Sequence, residues 1–140
     1  MARPNGQESV DLVLVPARLF LATPFIVFGI MKLRNFGPMQ SFIETGGLPG
    51  EVIWLVIPLQ ILGGLAVAFG WHARAAALLL AGFCMLAASL YHNHWSDLGE
   101  LASFTKDLAT AGGFIFLVAH GPGRWSLDAR AGRVRATPPA

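Results

Sequence analysis

Charge is scarce in this chain. Of its 140 residues, 13% are Asp, Glu, Lys or Arg, where a water-soluble domain carries about 25%. A single core of this length cannot hide a hydrophobic share of 54% from water. Lipid is therefore the expected solvent for most of the chain. Cysteine is reduced to one, Cys84. That excludes an intramolecular disulfide and a Cys-x-x-C dithiol centre, and leaves Cys84 as a small apolar residue inside an apolar run. The chain also has no phosphate-binding glycine loop, no Gly-x-Gly-x-x-Gly, no His-Glu-x-x-His and no nucleophile elbow. No opposed mid-span histidines suggest haem ligation. No resident metal or redox centre is therefore expected. The first apolar stretch lacks the basic region and small-residue cleavage site of a signal peptide, so it is expected to stay in the mature protein.

What is present is apolar sequence in four long stretches. Mean hydropathy is +0.57. Spans are predicted over Val10–Met31, Glu51–Phe69, Ala73–Leu90 and Leu101–Ala119. Each has about 18–22 residues, enough for a hydrocarbon core of ~30 Å at 1.5 Å per residue. Short connections make sequential helices antiparallel neighbours, so the expected architecture is all-α, a transmembrane four-helix up-down bundle. It occupies residues 10–120, between an N-terminal tail (1–9) and a basic C-terminal tail (121–140). In the first loop, Phe36, Met39, Phe42 and Ile43 recur at helical spacing and predict a short interfacial helix. Gly46 to Gly50 (GGLPG) then turns the chain.

Lys and Arg are unevenly shared between the two sides. The N-tail, the second loop and the C-tail carry Arg3, Arg74, Arg124, Arg130, Arg133 and Arg135, against Lys32, Arg34 and Lys106 on the other side. The positive-inside rule then places both termini in the cytoplasm. The basic tail has no aromatic interleaving beyond Trp125, which argues against a nucleic-acid partner.

Ionisable residues in a membrane span must be paired, wetted or turned inward. Lys106 and Asp107 lie about five residues into the fourth span, or ~8–9 Å down. One residue apart on a helix, they point about 100° away from each other, so Lys106 is expected to snorkel outward while Asp107 faces the bundle. Lys32 ends the first span in the same leaflet, and a Lys32–Asp107 ion pair is expected. Gln60, mid-span in the second helix, can hydrogen-bond a neighbouring helix. His92, on the outer loop with His94 and Asp97, can act as a proton donor; without a third clear ligand the two histidines make no metal site. Lys32, Gln60, His92, Lys106 and Asp107 thus form a candidate outward-opening pocket. Arg18 lies ~21 Å along the helix from Lys32, and is expected to snorkel to the cytoplasmic headgroups instead.

Several of these residues recur in an ordered set. Arg18, Gly29 and Lys32 mark the first span, and Gly63-Gly64 with Gly70 and Arg74 mark the second. Lys106-Asp107-Leu108-Ala109 followed by Ala111-Gly112-Gly113 marks the fourth, and the end reads Gly121-Pro122-Gly123-Arg124-Trp125-Ser126-Leu127-Asp128. Over Val10–Asp128 this set resembles the DoxX family, small four-helix bacterial membrane proteins. It departs from the family in two places: Gln60 stands where an acidic residue is common, and Asp107 where Asn is common. The resemblance implies a bacterial plasma (inner) membrane location and a redox-linked role without a redox centre of its own. A quinone-like or other small hydrophobic ligand, or a docked redox protein, is the partner it implies. A non-enzymatic membrane scaffold and a small transport module in a homo-oligomer are the competing expectations.

Overall fold

The computed structural model describes residues 6–132, and every regular element among them is helical. Four helices are long and apolar enough to cross a membrane, spanning Ser9–Arg34, Gly50–Phe69, Ala73–Tyr91 and Leu98–His120. In chain order the elements are α1 (Gly6–Arg34), α2 (Phe36–Thr45), a 3₁₀ turn (Gly50–Val52), α3 (Ile53–Phe69), α4 (Ala73–Tyr91), α5 (Leu98–His120) and a one-turn α6 (Leu127–Arg130). The four long helices form the expected up-down bundle. α1 packs on α3, α3 on α4 and α4 on α5, with α5 touching α1 again. The short interfacial helix of the first loop is α2.

Helix ends follow local chemistry more than hydropathy. α5 begins three residues before the apolar stretch does, because Asp97 caps it. Its Oδ1 accepts from the Gly99 and Glu100 amides at 2.8 and 3.0 Å, satisfying donors that a first helical turn leaves open. α3 ends where Gly70 adopts φ +67°, a conformation that favours glycine.

The core is built for close approach. Ala22, Phe25, Val67, Leu80, Cys84, Ala111 and Phe114 form its centre. Phe25 meets Phe114 edge-on at 5.2 Å between ring centroids. At the α1–α3 crossing a Cβ on Gly64 would stand 2.8 Å from Ile26 Cγ1, so only glycine lets the backbones come this close. Outside that core, large side chains face outward: Phe20, Val13, Leu55, Leu62, Leu78 and Phe116 are all more than half exposed. In water such a belt would aggregate; against acyl chains it needs no cover.

The far C-terminus is not a free tail up to Arg130. Residues Gly121 to Arg130 fold back across the end of the bundle as a strap. Arg18 anchors it, and this corrects the expected snorkelling: the side chain is 3% exposed. Its Nη1 and Nη2 donate to the carbonyls of Pro122 and Trp125, each at 2.7 Å. Asp128, also buried, accepts from the His72 and Ala73 amides at 2.9 Å each and so caps α4. Its own amide donates to the Gly70 carbonyl at 2.9 Å. Asp11 accepts from the Arg124 amide at 3.0 Å. The strap therefore ties α1 to the α3–α4 turn. Residues 133–140 and 1–5, with Arg3, Arg133 and Arg135 among them, lie outside the described residues.

Candidate functional site

A cavity of about 570 Å³ lies between the long helices and α2. Most of its wall is apolar: Phe25 and Phe28 from α1, Ile43 from α2, Leu55 and Leu59 from α3, Phe83 and Leu90 from α4. All five residues singled out in the sequence also line it: Lys32, Gln60, His92, Lys106 and Asp107. Residues from α1, α3, α5 and the end of α4 thus converge on one space. Four of the five cluster toward the end of the bundle that holds the C-terminus of α1 and the N-terminus of α5. Gln60 sits deeper, seven residues or ~10 Å along α3 from Ile53.

The local geometry differs from the expected pairing. Asp107 does face the bundle and Lys106 does face outward, their side chains being 17% and 65% exposed. The partner of Asp107 is not Lys32, however. Its carboxylate lies 3.8 Å from His92 Nε2 and 3.8 Å from Lys106 Nζ. His92 in turn meets Glu100 through Nδ1 at 3.1 Å. The imidazole therefore stands between two carboxylates, one on each ring nitrogen. Glu100 is within hydrogen-bond range and Asp107 is just beyond it. Glu100 comes into play because the Asp97 cap starts α5 early, which places Glu100 in its first turn.

Lys32 has no carboxylate within 4.0 Å among the described residues. Its ammonium is 5.8 Å from the centre of the Phe28 ring, a cation–π distance. Gln60 is 4% exposed, and its Oε1 is buried without a hydrogen-bond partner. The expected interhelical bond is not made by that oxygen. A buried polar atom left open is expensive, and this one belongs to a residue that lines the cavity.

Three further polar residues of the lining were not placed in the site from the sequence: Cys84, read only as a small apolar residue, Tyr91 and Thr110. Helical spacing carried the signal. Cys84 lies two turns before Tyr91 on α4, and Thr110 lies one turn after Asp107 on α5. The Tyr91 hydroxyl is occupied, donating to the Ile43 carbonyl at 3.0 Å, and so holds α2 over the cavity. His94 is exposed and does not line it.

A family model described as DoxX matches residues 13–93. Inner membrane protein YqjF of Escherichia coli (strain K12) is 37% identical over 118 residues, covering 84% of this chain and 91% of that protein. Inner membrane protein YphA of the same organism is 26% identical over 126 residues, covering 85% of this chain and 90% of its own length. No solved structure matches the chain.

Proposed function

The chain belongs to the DoxX family and is an integral inner-membrane protein in contact with the lipid bilayer, and from that premise we propose that it is a redox-linked membrane component whose cavity binds a quinone-like or similar small hydrophobic ligand. One observation carries this reading: five polar or charged groups from α1, α3, α5 and the end of α4 converge on one largely apolar cavity of about 570 Å³. That size and that balance of apolar wall to a few polar groups suit a small-molecule site. The cavity favours a ligand over a docked redox protein, which needs an exposed face rather than an internal space.

The donor set fits a ring with oxygen at its edge. Lys32, His92 and the amide nitrogen of Gln60 can donate to a carbonyl. The Gln60 oxygen, open as it stands, and the Asp107 carboxylate can accept from a hydroxyl. Phe25, Phe28 and Phe83 would pack against the ring and its substituents. A bound quinone would supply two-electron, two-proton chemistry. The chain's own residues would bind it, orient it and hold protons at His92 and Asp107 near its oxygens.

Equilibrium binding of a short-chain benzoquinone to the purified protein in detergent tests this. Micromolar binding is expected, weakened at least tenfold by Gln60→Leu, which removes both hydrogen-bonding atoms of the carboxamide. Asp107→Asn, the family-like residue, is expected to fold normally and shift affinity. If no quinone binds, or if Asp107→Asn alters only thermal stability, the polar set packs helices and the scaffold reading stands.

A further inference from the structure

We propose that the opposite end of the bundle holds a second site, which takes the phosphate of an anionic phospholipid headgroup. A cleft of about 510 Å³ lies there between α1, the end of α3 and the strap, lined by Arg18, Phe69, Arg124, Trp125, Leu127 and Arg130 among others. Three of those six are arginines, and no carboxylate belongs to the lining. The two nearby acids are already engaged. Asp11 accepts from the Arg124 amide and lies 3.9 Å from Arg124 Nε. Asp128 caps α4 through His72 and Ala73, and its charge also acts on Arg18. Two carboxylates thus stand against the three arginines, and Arg130 is left over. Arg130 has no ion pair among the described residues. Arg18, 3% exposed, carries five N–H donors; two nitrogens serve the strap carbonyls, and its Nε is buried with no partner.

Depth identifies the ligand. Phe69 is the last residue of α3, and the neighbouring Trp71 and Trp125 are exposed, as residues at headgroup level are. Phe69 and Leu127, both exposed, offer an apolar wall for the first methylenes of an acyl chain. The arginines offer forked donors to a phosphate diester. A soluble anion would use the second feature and leave the first idle. Basic pockets between transmembrane helices take anionic lipid headgroups by this combination.

Native mass spectrometry of the whole protein tests the site, after equilibration in micelles containing equal phosphatidylglycerol and phosphatidylcholine. Wild type is expected to retain phosphatidylglycerol selectively. Arg124→Gln and Arg130→Gln are each expected to reduce that selectivity roughly fivefold, the effect of one surface cation. Arg124→Gln keeps the backbone bond to Asp11 and loses only the 3.9 Å contact of an exposed guanidinium with that carboxylate, a pair worth little, so the strap should hold; unchanged melting temperatures check this. Arg74→Gln, at the same end but outside the cleft, should leave selectivity intact. The proposal is overturned by no selectivity in wild type, by full selectivity in both cleft variants, or by an equal loss in Arg74→Gln, which would mean diffuse surface charge. Excess inorganic phosphate should leave the lipid bound. Displacement by phosphate, but not by chloride at equal ionic strength, would make this a soluble-anion site and also overturn the lipid assignment.

Discussion

At position 60 the chain buries a carboxamide whose oxygen has no hydrogen-bond partner among the described residues. Burial of an open polar atom works against folding by about 1–3 kcal/mol. Gln60→Leu, close in size, removes that burden. The variant is expected to melt at the same temperature as wild type or a few degrees higher, followed by tryptophan fluorescence in detergent. A clear drop would show that Gln60 glues helices after all. Its neighbours in the site were only partly legible. Residue spacing gave the divergent facings of Lys106 and Asp107, because adjacent helical positions point about 100° apart. It also gave the shared depth of Lys32 and Asp107. Depth along an axis does not fix direction around it, though. The Lys32 ammonium lies over Phe28, and His92 takes the place beside Asp107.

Among elements, the long helices were the most legible, since lipid imposes length and hydropathy on any span. Their ends were less so. α1 runs from Gly6 and α5 from Leu98, beyond the apolar stretches, because backbone and caps extend a helix into polar sequence. The strap was not legible at all. Gly121-Pro122-Gly123-Arg124 has the composition of a loop, and its anchor, Arg18, is more than a hundred residues away. Such pairing leaves no periodic trace. Asp128 shows what the strap does for an element: its carboxylate satisfies two amides at the start of α4, where His72 takes a positive φ of 45°. Asp128→Ala should lower stability by about 1–2 kcal/mol through the lost cap. A fall in melting temperature without loss of quinone binding at the far cavity is the expected result. Loss of both together would mean that the two ends of the bundle are coupled.

For the whole molecule, the question is which end faces which compartment. The fold is indifferent, since turning the bundle over changes no contact. Charge decides it. Among the described residues Arg74, Arg124 and Arg130 lie at one end, against Lys32, Arg34 and Lys106 at the other. The sequence adds Arg3, Arg133 and Arg135 to the first group, and short basic loops resist translocation. Both termini are therefore expected in the cytoplasm. The cavity, whose charged groups gather near the ends of α1 and α4, would then exchange with the periplasm, and the arginine cleft would sit in the cytoplasmic leaflet. The sole cysteine makes this measurable. Cys84 is buried at 3% exposure and should resist a membrane-impermeant maleimide. Ser96→Cys places a thiol on the exposed loop before α5, and should label in intact spheroplasts. Trp71→Cys, on the exposed α3–α4 turn, should label only after lysis. The reverse pattern would put the cavity on the cytoplasmic side. His92 and Glu100 would then meet cytoplasmic rather than periplasmic water, and any proton exchanged through them would come from the other compartment.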